Sequence, residues 1–380
     1  MSKYQEVPFN HSSIQGNEIE YIQDAIQKGQ IAGDQYYSKQ CEDLLENITG
    51  CKRALLTTSC THALEMCAYL LKLKVGDEVV VPDFTFVSTA NAFVSRGAVP
   101  RFCDIRQDTL NIDESKIEAL ITSRTRAIVV VHYAGVACEM DTILAIANKY
   151  GLLVIEDNAH GLFGKYKGRW LGTLGALATQ SFHETKNISC GEGGALLIND
   201  EQYIQEAEII REKGTNRSQF FRGEIDKYSW VGPGSSYVMS DVLAAFLYGQ
   251  LEQWKSIQKK RRLIWERYHD ALTEWCDKQS VRRPYVPEHC EQAYHMYYLL
   301  FPEADKRDEF IAHLKRHSIR AVFHYVPLHQ TPYGRGFANI GHECEISVAC
   351  SSRLVRLPFY NDLSGEDQNT IIKKIDFYQF

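Results

Sequence analysis

The sequence predicts a wound α/β fold: a seven-stranded, mostly parallel sheet followed by a smaller C-terminal α+β domain. Three observations carry this. Seven short β-rich runs recur through the first 200 residues, helical periodicity fills the gaps between them, and past residue 240 the texture changes to long helices.

In chain order the predicted strands are RALLTT (53 to 58), DEVVVP (77 to 82), VPRFCDI (99 to 105), RAIVVVHY (126 to 133), GLLVIED (151 to 157), ATQSFH (178 to 183) and GALLIND (194 to 200). Most are nearly continuous apolar strings, the mark of strands covered on both faces by helical crossovers. The run THALEMCAYLLKL (61 to 73) places Ala63, Met66, Cys67 and Leu70 at helical spacing, and MDTILAIANKYG (140 to 151) ends in the glycine that closes a helix. The stretch SDVLAAFLYGQLEQWKSIQKKRRLIWERYHDAL reads as one or two long helices. A boundary near residue 255 divides a large domain, 1 to 255, from a small one, 256 to 380.

Composition restricts the function classes. At 380 residues, 44% hydrophobic and 24% charged, the chain has enough apolar material for a large core. A net charge of -6 excludes a nucleic-acid stripe while leaving room for a local phosphate site. The opening MSKYQEVPFNHSS lacks the blocks of a signal peptide, and no apolar run approaches the roughly 20 residues of a membrane span, so a cytoplasmic protein is expected. Eleven cysteines without ligand spacing read as reduced, packed thiols, with neither disulfide nor metal.

Wound sheets bind ligands at the carboxyl ends of their strands, and four groups stand there. After the first strand, TTSCTHALE offers Ser59 and Cys60 at a helix start whose free N–H groups suit a phosphate, or else an ordinary helix cap. After the second, Phe84 and Phe86 are either a flat aromatic surface or core. Following the fifth, Asp157 suits a protonated ring nitrogen, against a capping role, and His160 suits a phenolic oxygen, against a satisfied core histidine. Lys186, in SFHETKNISCGEGG, lies between a buried strand and a glycine-rich turn, where desolvation lowers an amine's pKa and makes it a nucleophile. A lone lysine is ordinarily a solvated surface charge. In this company it completes the set of groups that pyridoxal 5'-phosphate requires. The dinucleotide, P-loop and GxSxG motifs are absent.

Together, SFHETKNISCGEGGALLIND, VIEDNAHG, TTSCTHALEM, PDFTFVSTANAFVSRGA and VHYAGVACEMDTI resemble the sugar-nucleotide aminotransferases of the DegT/DnrJ/EryC/StrS type, over nearly the whole chain. The resemblance implies pyridoxal-phosphate fold type I, the aspartate-aminotransferase architecture. It implies that Lys186 holds the cofactor covalently and shuttles a proton, that Asp157 keeps the ring nitrogen protonated, and that His160 lies near the ring hydroxyl. Phe86 would stack on the ring, Ser59, Cys60 and Ser181 would meet the phosphate, and Tyr325, His329 and Gly33 would border the sugar.

The segment EIIREKGTNRSQFFRGEIDKYSWVGPGSSYVMSD is similar to that of transaminases converting dTDP-4-keto-6-deoxy-D-glucose to dTDP-4-amino-4,6-dideoxy-D-galactose, a precursor for enterobacterial common antigen. The implied amino donor is L-glutamate, and the implied assembly is a homodimer in which 214 to 240 completes the partner's site. Many relatives carry Asn and Arg there, where this chain has Ser236 and Val238; Ser236 retains a hydrogen bond for phosphate, whereas Val238 loses a charge. The gluco epimer, amination at carbon 3 and a non-catalytic cofactor-binding regulator are the alternatives. A dehydratase of the same fold, with histidine for the lysine, is disfavoured by Lys186.

Overall fold

The computed structural model describes residues 6–337 and 343–380. Its main sheet has seven strands: β1 (Arg53–Thr57), β2 (Glu78–Pro82), β3 (Val99–Cys103), β4 (Thr125–Val131), β5 (Leu153–Asp157), β6 (Leu177–Ser181) and β7 (Gly194–Ile198). They lie in the order β1-β7-β6-β5-β4-β2-β3. Only β7 runs antiparallel to its neighbours, pairing with β1 on one side and β6 on the other. The carboxyl ends of β1, β5 and β6 therefore share one edge with the start of β7. Thr57 and Ser181 both stand opposite Gly194, and Asp157 stands opposite Thr179.

The expectation of helical crossovers is corrected between β6 and β7. That connection is a hairpin return, closed by Phe182 N–H on Gly193 O at 2.8 Å and Glu184 N–H on Gly191 O at 2.8 Å. The connection, residues 182–193, contains no helix and is folded back on itself by these bonds, as an antiparallel return requires. Here the folded-back loop leaves Lys186 at the functional edge of the sheet.

Both sheet faces are covered, as the apolar strings require. Alternation along each strand divides the side chains. Leu55, Val79, Val81, Val129, Ile155 and Leu196 pack beneath the helix Cys60–Leu70. Leu56, Ala178, Ala195 and Leu197 face the opposite layer, with the helix Asp241–Glu252. Beside them Val80, Ile128 and Val130 meet the helix Met140–Tyr150. Burying each large aliphatic side chain stabilises by about 1.5–3 kcal/mol, so this two-sided packing holds the strand ends in place.

The long C-terminal stretch forms two helices, Asp241–Glu252 and Trp254–Ala271, that meet at Gln253. Beyond them a separate cluster gathers Trp265, Tyr268, Tyr297, Phe301, Phe310 and Ile371 around the ribbon Tyr298–Leu300 and Leu354–Arg356. The N-terminal arm joins it: Val7 packs in this cluster and bridges to Ile319, and Phe9 O accepts from Phe359 N–H at 3.1 Å. All eleven cysteines are free. Among the described residues no helix is long and apolar enough to cross a membrane.

Candidate active site

A cavity of about 750 Å³ opens at the shared strand edge, between the sheet and the C-terminal region. Ser59, Cys60, Phe86, Asp157, His160, Ser181, Lys186 and Tyr325 all border it, which brings together eight of the eleven residues singled out in the sequence.

Lys186 sits at the turn of the hairpin, its backbone N–H donating to His183 O at 2.9 Å. The next residue anchors the loop to the C-terminal region, because Asn187 Nδ2 donates to Ala293 O at 2.6 Å and Asn187 Oδ1 lies 2.9 Å from His295 Nδ1. Buried Phe182, Ile188 and Cys190 fasten it to the core. Burial pushes the Lys186 amine down to about 8, although Cys60 and Asp157 pull the other way. Its side chain is half-buried, open to the cavity and enclosed elsewhere.

Asp157 ends β5 and is buried. Thr89 Oγ1 donates to Oδ2 at 2.7 Å and Ala159 N–H to Oδ1 at 3.2 Å. Burial nevertheless raises its pKa, and with only these two bonds the carboxylate keeps acceptor capacity for a further donor. Its neighbour Glu156 points to the other side and serves the scaffold instead. It accepts from Gly172, Leu174 and Gly175 N–H at 2.6–2.8 Å and pairs with buried His132 at 2.8 Å.

The helix Cys60–Leu70 begins at the cavity wall, and Ser59 caps it by accepting from His62 N–H at 3.1 Å. Ser181 and Gly193 face it across the opening. A Cβ at Gly194 would stand 2.4 Å from Cys60 N and from Ser59 C, so only glycine lets β7 approach the helix start this closely. Phe86 is 56% exposed and borders the cavity, whereas Phe84 is buried core beside Tyr133.

His160 stacks on His295 at 4.2 Å between ring centroids, and its Nε2 lies 3.3 Å from Tyr325 Oη. Its buried Nδ1 has no hydrogen-bond partner among the described residues. Burial holds His160, His295 and His324 well below the usual imidazole range, so this wall is neutral at physiological pH. Tyr325 has φ +29°, a strained setting for a bulky residue, and such strain concentrates at ligand sites.

Three expected site residues do not border the cavity of the single chain. His329 is instead bound to buried Asp83, through Nδ1 at 2.7 Å and its backbone N–H at 2.9 Å. Desolvation makes an unpaired Asp83 costly, and the imidazole is the group that satisfies it. Asp83, His329 and Cys344 have ligand-type atoms within 4.8 Å of one another, a grouping the linear spacing did not show. Gly33 packs against Val238, where a Cβ would lie 2.1 Å from Val238 Cγ1. Ser236 is exposed and bridges through its backbone to Glu212.

Sequence reasoning missed Thr89, His295, His324, Glu192 and Arg356, all at or beside the cavity. Arg356 left a signal: an arginine within the apolar run RLVRLP, in a strand of the C-terminal ribbon.

The donor set fits pyridoxal phosphate. A half-enclosed amine, a buried carboxylate with spare acceptor capacity, an unpartnered His160 Nδ1 and a glycine-dependent cradle at a helix start are the groups needed for its aldehyde, ring nitrogen, ring oxygen and phosphate.

Comparison with known proteins agrees. Residues 12–376 match the DegT/DnrJ/EryC1/StrS aminotransferase family. The chain is 35% identical over 342 residues, 88% of each protein, to the uncharacterized protein MJ1066 of Methanocaldococcus jannaschii. It is 32% identical over 377 residues to the spore coat polysaccharide biosynthesis protein SpsC of Bacillus subtilis, covering 97% of this chain and 96% of that one. Among solved structures, Spr1654 of Streptococcus pneumoniae in its PMP-form superposes with a TM-score of 0.89 at 25% identity, over 97% of this chain and 98% of that one. The same protein is known in a PLP-form.

Proposed function

The chain belongs to the DegT/DnrJ/EryC1/StrS aminotransferase family, whose members are pyridoxal-phosphate-dependent sugar aminotransferases, and from that premise we propose its substrates and the roles of its residues. The reaction is transfer of the amino group of L-glutamate to carbon 4 of dTDP-4-keto-6-deoxy-D-glucose, giving dTDP-4-amino-4,6-dideoxy-D-galactose and 2-oxoglutarate. The observation that carries this reading is Lys186, an amine pushed down to about 8 at the wall of a cavity large enough for a sugar ring. The similarity of the 208 to 241 segment supports the choice of sugar, and SpsC's part in polysaccharide biosynthesis supports an activated sugar in general.

The cofactor, when bound, supplies the electron sink that stabilises negative charge on the carbon losing or gaining a proton. The chain supplies the rest. Ser59, Cys60, Ser181 and the N–H groups of the helix start hold the phosphate, and Phe86 covers the ring. Asp157 keeps the ring nitrogen protonated, while His160, held neutral, faces the ring oxygen. Lys186 Nζ anchors the cofactor, takes the proton from the amine-bearing carbon of the donor, and returns one to carbon 4 of the sugar. Tyr325 borders the sugar. Gly33 and His329 lie toward the sugar, and Ser236 acts through the dimer, in which one protomer's 214 to 240 segment closes its partner's cavity. On this reading residues 1–255 form the cofactor-binding domain and 256–380 the domain that covers it, in a cytoplasmic enzyme serving a surface polysaccharide such as enterobacterial common antigen.

The test is incubation of the cofactor-loaded protein with L-glutamate and dTDP-4-keto-6-deoxy-D-glucose, followed by NMR of the product. An axial amine at carbon 4 is expected. An equatorial amine assigns the gluco epimer, amination at carbon 3 assigns a different ketone, and an unchanged sugar overturns the substrate.

A further inference from the structure

Arg356 lies on the C-terminal ribbon, held by Tyr298 as strand partner and by its backbone N–H donating to Val322 O at 2.7 Å. The residue lines the cavity. Its Nη2 donates to Phe323 O at 3.2 Å, and the guanidinium carbon lies 4.7 Å from the centre of the Phe9 ring. Its Nε is buried without a partner, and among the described residues it makes no ion pair with a carboxylate.

Arg261 is also buried without a carboxylate, but its Nε donates to Tyr294 O at 2.8 Å, its Nη1 to Asn361 Oδ1 at 2.7 Å and its Nη2 to His295 O at 2.5 Å, whereas the Nε of Arg356 has no partner. Arg211 pairs with Glu42 at 2.7 Å and with Asp34, and Arg106 pairs with Asp108 and Glu114 at 2.7 Å each. An enclosed cation without a counter-ion is costly unless an anion comes to it, and the cavity provides the route. Burial indeed pushes the Arg356 guanidinium down, against the opposing pull of Tyr133 and Tyr325.

Two further observations identify the anion. The cradle for the cofactor phosphate is already built at Ser59, Cys60 and Ser181, whereas the charge of Arg356 acts on Lys186, His160, His295 and His324, at the reacting end of the cavity. An α-amino acid carries its carboxylate one bond from the carbon whose nitrogen moves, so that carboxylate must lie beside Lys186. The diphosphate of a nucleotide sugar is attached across the ring from carbon 4 and lies farther away. Among the described residues no other arginine borders the cavity, and Val238 packs on Gly33 where relatives carry an arginine.

We propose that Arg356 is the receptor for the α-carboxylate of the amino donor, and so a specificity-determining residue for the first half of the reaction. The proposal rests on the sugar aminotransferase reading. A guanidinium fork matches a carboxylate through two parallel N–H donors, with Nε one of the two that face the acid.

The two half-reactions separate the proposal from that reading. In Arg356→Gln, the L-glutamate concentration giving half-maximal conversion of the bound cofactor's absorbance is expected to rise by roughly 30-fold or more. The reverse half-reaction, driven by the aminated sugar nucleotide, stays within about threefold. Calorimetric binding of 2-oxoglutarate to the pyridoxal form should weaken in parallel. Arg356→Lys keeps the charge and the packing on Phe9 but not the fork, and is expected to weaken glutamate by about tenfold with the sugar unaffected; it also serves if the Gln variant fails to fold. Either variant with a wild-type glutamate response, or with equal losses in both half-reactions, overturns the assignment. A wild-type protein that is converted by no α-amino acid overturns the aminotransferase reading and this proposal with it.

Discussion

An ordinary lysine is about 0.1% neutral at pH 7.5, whereas one held at about 8 is roughly a quarter neutral, and the neutral amine is what attacks a carbonyl. Because the folded value lies below the ordinary one, capture of added pyridoxal phosphate by the apo-protein should accelerate with pH to a midpoint near 8 and then level off. Stopped-flow absorbance checks this, and a rate still climbing at pH 10 contradicts it. Lys186→Ala should lose both turnover and borohydride-fixable cofactor. Asp157 has a complementary role. Asp157→Asn should fold and keep the cofactor through the phosphate cradle, yet lose about 100-fold or more in turnover, since a donor in place of the carboxylate no longer holds the ring nitrogen protonated. Activity within a few-fold of wild type would reduce Asp157 to a cap.

β5 shows how one strand serves two purposes. Successive side chains point to opposite faces, so Asp157 enters the cavity while Glu156 is buried behind it, pairing with His132 and collecting three backbone N–H groups from 172–175. Burial raises the Glu156 pKa, but His132 and these N–H groups outweigh it and hold the carboxyl below its ordinary value of 4.5. A group with a depressed folded value stabilises fully above its ordinary pKa and loses that contribution as pH falls through the folded one. Glu156→Gln should therefore cost about 3 kcal/mol at pH 7, read from urea unfolding. The gap to wild type should stay constant down to about pH 5 and close only below it. A gap that closes between pH 8 and 6 contradicts this assignment.

The whole molecule leaves the 214 to 240 segment exposed, with Phe221, Tyr228, Trp230 and Val231 at the surface and Trp230 82% exposed. Its ends are pinned by backbone bridges from Glu212 to Ser236 and from Thr215 to Trp230, and Arg222 pairs with Glu208 at 2.8 Å. It is thus an ordered projection that keeps its apolar side chains in water in the single chain, where a partner subunit would cover them. Mixing inactive Lys186→Ala chains with chains inactivated by Ser236→Trp should restore part of the activity, because each heterodimer would hold one complete site. If activity stays absent after demonstrated subunit exchange, each chain builds its own site.

The α/β class, all seven strands and the placing of Lys186, Asp157 and Ser59 just after strands were legible in the chain itself, while Ser181 came only from the family resemblance. Apolar runs, helix caps and strand-end polar residues are local signals, and the sheet rule converts them into a shared edge. Tertiary structure alone decided the rest. Whether β7 returns antiparallel depends on pairing between strands distant in sequence, and that pairing turned the Lys186 loop into a hairpin. Phe84 and Phe86 are two residues apart in a similar setting, yet one is core and the other borders the cavity, because packing from 133 and 325 selects between them. His329 was drawn to Asp83 by a desolvation cost with no signature in linear spacing. Arg356 became a cavity residue only when the C-terminal ribbon folded against the sheet edge, since a charge lacking a counter-ion is a property of three-dimensional surroundings and not of sequence.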